Sequence, residues 1–294
     1  MFDGFQLEHV ALPAATLRVR HGGQGPPLLL LHGHPRTHTT WHRVAPLLAR
    51  EHTVVCPDLR GYGQSSTPAD TPDHSGMSGR ALAQDMRELM THLGHERFAV
   101  AGHDRGSYVA FRLAMEHPDA VIRLAFLGQV PILDALERVN ERFARLWWHW
   151  FFFAQPGKPE QAILADPDAW YGLTPELRER MGTENYADCR AALHDPATVH
   201  AMLEDYRAGL GLNRAHDEAD RAAGRRLACP TLVVWATRDD PEPLYDDLPA
   251  IWRAWSDDLR VRSLDCGHHM AEDAPDELAA MLLDFFREGA FRER

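Results

Sequence analysis

The chain has little of what would place it outside the ordinary globular world. Its 294 residues include only four cysteines, Cys56, Cys189, Cys229 and Cys266, far apart and with no C-x-x-C pair. That spacing speaks against a disulfide framework or a cysteine zinc site and predicts a reducing, cytoplasmic setting. No apolar run is long enough to span a bilayer, and MFDGFQLEHV lacks the basic start and apolar core of a secretory leader. Positive charge is also short: 31 Lys+Arg face 43 Asp+Glu, a formal balance of −12. Such a chain makes a poor general ligand for nucleic acid or anionic lipid, so neither is an expected partner. A small anion would need its own local arginines. No internal repeat or low-complexity tract is evident. The 45% of hydrophobic residues suffice for a sizeable core, which excludes disorder over the whole chain.

What is present is an alternation. Apolar runs of strand length occur at Leu28–Leu31, Thr53–Cys56, Phe98–Ala101, Arg123–Leu127, Thr231–Trp235 and Arg260–Leu264, after an N-terminal hairpin. Stretches with helical spacing lie between them, at Gly79–Leu93, Ser107–His117 and Pro275–Arg287. Strands of this kind alternating with helices predict an α/β fold, a mostly parallel sheet flanked by helices. Residues 132–223 break the rhythm: they are helix-rich and contain Trp147-Trp148-His149-Trp150-Phe151-Phe152-Phe153. The expected organisation is a core of residues 1–131 and 224–294 with an inserted helical cap at 132–223. Positions 143, 147, 150 and 151 share a helical face, so most of the aromatic run is expected to be core.

The sharpest local signal is Gly102-His103-Asp104-Arg105-Gly106, directly after a predicted strand and opening a helix. This is the G-x-nucleophile-x-G turn with Asp at the nucleophile position; the glycines leave room for a tight strand-to-helix turn. An Asp serving only as helix N-cap would explain one residue but not both glycines. His32-Gly33-His34-Pro35 follows an earlier strand, where such folds supply an oxyanion-binding N–H. Gly267-His268 follows the last predicted strand and completes the order nucleophile, acid, His.

With Trp41-His42-Arg43-Val44-Ala45-Pro46 and Pro57-Asp58-Leu59-Arg60-Gly61-Tyr62-Gly63, these motifs resemble the α/β-hydrolases of the aspartate-nucleophile branch, above all the fluoroacetate (haloacetate) dehalogenases. The resemblance covers nearly the whole chain. It implies that Asp104 attacks the carbon bearing a leaving group and forms an ester. His268 then activates the water that hydrolyses it, while the N–H groups of His34 and Arg105 hold the oxyanion. His149, Trp150 and Tyr206 match the family's halide-binding donors, and no cofactor is implied. Arg105 stands where haloalkane dehalogenases and epoxide hydrolases commonly have Trp, and suits pairing with a substrate carboxylate.

Two positions depart from the pattern. The fluoroacetate enzymes carry a second arginine four residues after the nucleophile, where this chain has Tyr108, a single hydrogen-bond donor toward the carboxylate. The triad acid of these dehalogenases often follows the strand after the nucleophile helix, where this chain has Gly128. Asp239, in Trp235-Ala236-Thr237-Arg238-Asp239, fits the alternative placement after the next-to-last strand, with Asp240 in reserve. The cluster His32, His34, His38 and His42 lacks the Asp-His continuation of a metallo-hydrolase run, so no metal is expected. A small-molecule substrate is the expected partner, with a homodimer left open. Three readings remain: a haloacid dehalogenase; an epoxide hydrolase using Tyr206 with Tyr171 or Tyr186; and a non-catalytic binding protein.

Overall fold

The computed structural model describes residues 1–128, 130–239, 244–245 and 247–287. Among the described residues eight strands form one sheet: β1 (Gln6–Ala11), β2 (Thr16–Gly22), β3 (Pro27–Leu31), β4 (Thr53–Pro57), β5 (Phe98–His103), β6 (Val121–Leu127), β7 (Thr231–Ala236) and β8 (Leu259–Leu264). Their order is β1-β2-β4-β3-β5-β6-β7-β8. The β1–β2 and β2–β4 pairs are antiparallel and every later pair is parallel. This is the α/β-hydrolase architecture that the alternation predicts.

The central strands read as unbroken apolar runs because both faces of the sheet are covered. Leu29, Leu31, Val100, Phe126 and Val233 point to one face, where they meet the helices Gly79–His92 and Arg105–Glu116. Leu28, Leu30, Ala101, Leu127 and Val234 point to the other, against Leu278, Leu282 and Phe285 of the helix Pro275–Arg287. Among the described residues no helix is long and apolar enough to cross a membrane.

Between β6 and β7 the chain runs from Ile132 to Ala222 through short helices. Prolines in the first turns of Lys158–Ala165, Pro167–Trp170, Pro175–Met181 and Pro196–Ala208 account for much of the fragmentation. A proline is tolerated there but could not continue a preceding helix. The aromatic run does not form one helix either. Glu141–Leu146 and Trp148–Phe153 are separated at Trp147, whose φ of −112° and ψ of 33° leave the helical region. Phe143, Trp147, Trp150 and Phe153 are buried, Phe151 is half-buried and Trp148 is 49% exposed.

The insert is fastened to the sheet domain by charge as well as by rings. Arg18 pairs with Asp188 at 2.7 Å, Arg105 with Asp205 at 2.5 Å, and Arg112 with both Asp217 and Asp220 at 2.5 Å. Each of these arginines belongs to the sheet domain and each aspartate to the insert.

Candidate active site

The Gly102–Gly106 turn is built as its glycines imply. Asp104 adopts φ 51° and ψ −121°, a conformation that side-chain-bearing residues rarely take and that persists only where the surroundings enforce it. The Asp104 N–H donates to the Leu127 carbonyl at 3.1 Å, and the Ser107 N–H donates to the Asp104 carbonyl at 2.9 Å. A Cβ at Gly102 would lie 2.2 Å from the Gly106 carbonyl oxygen, and one at Gly106 only 2.3 Å from that of His32. Both positions therefore require glycine for close backbone approach.

The turn carries the Asp104 carboxylate to the C-terminal edge of the sheet, where its two oxygens meet different surroundings. Oδ1 accepts the His34 N–H at 2.7 Å, and the Arg105 N–H also bonds the carboxylate. Oδ2 lies 3.8 Å from His268 Nε2. Burial alone would push this carboxyl up, but the imidazoles of His268 and His103 and the Arg105 N–H outweigh it and hold Asp104 below the ordinary range.

His268 Nδ1 is 2.7 Å from Asp239 Oδ2. Burial opposes the charged imidazole, yet the Asp239 bond and the charge of Asp104 prevail and raise its pKa. The structure thus brings Asp104, His268 and Asp239 together. Asp240, the reserve acid, lies outside the described residues. Gly128 follows β6 and donates its N–H to the Val234 carbonyl at 2.9 Å, so this position supplies no carboxylate.

A cavity of about 250 Å³ opens over Asp104. His34, His268 and Asp239 line it from the sheet domain; His149, Trp150 and Tyr206 line it from the insert. The expected leaving-group donors therefore share one chamber with Asp104. Burial drives His149 down to about 4 and His34 to about 3, so both imidazoles are neutral near pH 7.

The expectation for the substrate carboxylate needs correction. Arg105 and Tyr108 are not among the described residues lining this chamber. The Arg105 side chain turns toward the insert, where Nε donates to Asp205 Oδ2 at 2.8 Å and Nη2 to the Asp205 carbonyl at 2.8 Å. Its charge is already matched, and the guanidinium lies 4.5 Å from the centre of the Tyr206 ring. Tyr108 is buried against Phe126 and Trp150.

Three lining residues escaped the sequence reading: Pro35, Trp147 and His269. Trp147 was visible in the aromatic run, but helical periodicity assigned it to core. His103 plays a supporting part, its Nε2 lying 2.7 Å from the His268 carbonyl oxygen. Because burial holds this imidazole down to about 4, it is neutral and donates its one N–H to the loop that carries His268. The remaining clustered histidines turn to backbone and loop contacts: His32 Nε2 accepts from the Leu59 N–H at 3.0 Å, and His38 Nδ1 lies 2.7 Å from Asp58. His42 Nδ1 lies 3.0 Å from the Thr39 carbonyl. Among the described residues no three His, Cys, Asp or Glu side chains gather in a metal-binding group.

Fold and sequence agree on the class: the chain belongs to the α/β hydrolase fold family, whose model matches residues 26–275, and it is a hydrolase. Within that class it is 42% identical to a fluoroacetate dehalogenase from Burkholderia sp, over 97% of this chain and 95% of the relative. It is 28% identical to a soluble epoxide hydrolase from Corynebacterium sp. (strain C12), again over 97% and 95%. Among solved structures, a protein described as an epoxide hydrolase from Pseudomonas aeruginosa shares 44% identity with a TM-score of 0.89, covering 98% of this chain and 97% of that one.

Proposed function

We propose that the protein is a hydrolytic dehalogenase, displacing halide from a small haloacid-like substrate through an ester of Asp104. The observation that carries this reading is the division of labour within one carboxylate. Oδ1 is held against the His34 N–H, as an oxyanion would be, while Oδ2 lies 3.8 Å from His268 Nε2, and both residues line the chamber. An aspartate so held is preformed for attack at saturated carbon. Oδ2 forms a bond to the substrate carbon, the carbon–halogen bond breaks, and halide departs toward His149, Trp150 and Tyr206. Imidazole N–H, indole N–H and phenol all donate to the developing anion.

The ester so formed keeps its carbonyl oxygen at the position of Oδ1. Water adds to the Asp104 carboxyl carbon, His268 takes its proton, and the two N–H groups hold the transient oxyanion. Collapse breaks the bond to the alkoxide oxygen, which takes the proton from the His268 imidazolium and leaves as the hydroxy acid, and the Asp104 carboxyl loses its proton to become carboxylate again. Asp239 keeps Nε2 of His268 directed at the water and stabilises the imidazolium. This order places oxygen from water in the enzyme before it reaches the product.

Epoxide hydrolysis by the same ester is the second reading. It is favoured by Tyr171, whose ring centre lies 5.6 Å from that of His34 and whose buried hydroxyl has no protein partner. Tyr186 suits it less, because its hydroxyl donates to the Leu173 carbonyl at 2.8 Å. Incubation with haloacids and epoxides in H₂¹⁸O, followed by mass analysis of the Asp104 peptide, tests both. The dehalogenase reading expects halide release, ¹⁸O in Asp104, and loss of both in Asp104→Asn. Turnover without label in Asp104 refutes the ester; diol formation with no activity on haloacids selects the epoxide reading.

A further inference from the structure

Arg36 and Glu272 have no part in the chemistry above, and neither is among the described residues lining the chamber. Arg36 comes two residues after His34, and Glu272 four after His268. They meet across 236 residues of sequence as a forked pair: Arg36 Nε donates to Glu272 Oε1 at 2.8 Å, and Nη2 to Oε2 at 3.1 Å. Both are buried, at 4% and 2% exposure. Such a pair often stabilises no more than apolar side chains of the same volume would, but its two parallel bonds fix a geometry. On one side the Arg36 N–H donates to the Gly33 carbonyl at 2.9 Å, closing the turn that presents the His34 N–H to Asp104. On the other, the Met270 N–H donates to the His268 carbonyl at 3.0 Å and the Glu272 N–H to the His269 carbonyl at 2.9 Å. Glu272 Oε1 also accepts from Thr40 Oγ1 at 3.0 Å and from Asn185 Nδ2 at 3.1 Å, the latter on the insert helix Thr183–Leu193. Burial pushes the Glu272 carboxyl up, but Arg36 and these bonds outweigh it and hold it below the ordinary range.

We propose that Arg36 and Glu272 are a positioning pair for the second half of the reaction, fixing the His34 N–H relative to the His268 imidazole. The proposal rests on the Asp104-ester reading. The two half-reactions ask opposite things of that N–H. During displacement the Asp104 carboxylate gives up negative charge, so a donor on Oδ1 gains nothing as the carbon–halogen bond breaks. During ester hydrolysis charge builds on the same oxygen, so the donor now stabilises the transition state. His268 removes a proton from water at that moment and at the same carbon. Donor and base must therefore stand in register, and a misplacement of about 1 Å can cost roughly 100-fold. They sit on segments far apart in sequence, and the forked pair joins those segments directly. Through Asn185 the same carboxylate also holds the insert.

The test uses Arg36→Lys and Glu272→Asp, which keep both charges but lose the fork, and the milder Thr40→Val, which removes one bond to Glu272. Rapid-quench reactions with chloroacetate follow halide release and protein mass in time, so ester formation and ester decay are read separately. Ester decay is expected to slow at least tenfold in the first two variants and about threefold in Thr40→Val, while ester formation changes less than threefold. The ester therefore accumulates. A pair that served stability alone would lower Tm and the fraction of enzyme that reacts, and would leave both rate constants unchanged. That result, or equal slowing of the two steps, overturns the proposal. Should the charged variants fail to fold, the split in Thr40→Val decides. If neither haloacids nor epoxides label Asp104, the ester reading fails instead. The pair is then judged by the proton NMR resonance of the His268 Nδ1–H that Asp239 accepts. A shift in Arg36→Lys and Thr40→Val supports the hold on His268, and an unmoved resonance overturns it.

Discussion

Replacing Asp239 by Asn separates the two halves of the proposed reaction, because Asp239 serves ester hydrolysis and does not touch the carboxylate that forms the ester. The wild-type bond to His268 Nδ1 is 2.7 Å, within the range of a charge-assisted hydrogen bond. Losing such a bond to a charged group costs about 1.5–3 kcal/mol, roughly 10- to 150-fold in rate. A second effect adds to this. The Asn amide can donate to Nδ1, which moves the imidazole proton to Nε2 and leaves no lone pair to take the proton from water. The same exchange in a serine-protease triad lowers kcat about 10⁴-fold. We therefore expect ester hydrolysis to slow by about 10³- to 10⁴-fold, while the displacement step changes by less than about tenfold. The assay is rapid-quench halide release with intact-protein mass measured alongside. Halide equal to one enzyme equivalent should appear in a fast phase, followed by a near-flat steady state in which the mass is increased by the carboxyalkyl group of the substrate. Steady turnover near the wild-type rate, or loss of the fast phase with no mass increase, refutes the reasoning.

The pH dependence of the wild-type enzyme should divide along the same line. His268 must be neutral to act as base, and Asp239 holds its pKa above the ordinary 6.5, so kcat should fall as pH drops through a value above 6.5. Asp104 is held below the ordinary carboxylate range, so kcat/KM for halide release should stay level far into acid. The raised His268 also contributes stability that is full below pH 6.5 and lost as pH rises through its folded value, detectable as a lower Tm in alkaline buffer. Tyr206→Phe removes one leaving-group donor and should lower halide release roughly 10- to 100-fold, more for fluoride than for chloride; parallel fluoride and chloride assays give the ratio. Asp205→Ala strands Arg105 in a site where only 2% of its side chain is exposed, and breaking a buried pair costs about 3–5 kcal/mol. Calorimetry should show Tm lowered by roughly 10 °C.

Much of this arrangement was legible in the sequence because it depends on local rules. Central strands such as Leu28–Leu31 are apolar throughout because both sides are covered. The two glycines of the nucleophile turn mark a backbone approach that nothing larger permits. Asp239 could be found because it follows a strand at a position where this fold presents its acid, although 29 residues separate it from His268. The less legible parts depend on side-chain direction and on distant partners. Adjacency to Asp104 fixes where the Arg105 backbone lies, but its guanidinium follows Asp205, 100 residues further along. Trp147 is buried in the core, as its helical spacing suggests, but the chain breaks there and the residue also lines the chamber.

The charge pairs that join the insert to the sheet domain also bear on how such an enzyme can be altered. Arg18, Arg105 and Arg112 lie on one side of the junction and Asp188, Asp205, Asp217 and Asp220 on the other. A chimera that exchanged the insert alone would strip Arg105 of its counterion in a largely dry seam and leave Arg18 and Arg112 only Asp58 and Glu116. The two parts are therefore poor candidates for independent shuffling. New specificity is more accessible through ring-by-ring replacement at the chamber wall, and a transplanted insert would have to bring matching cations into its new host.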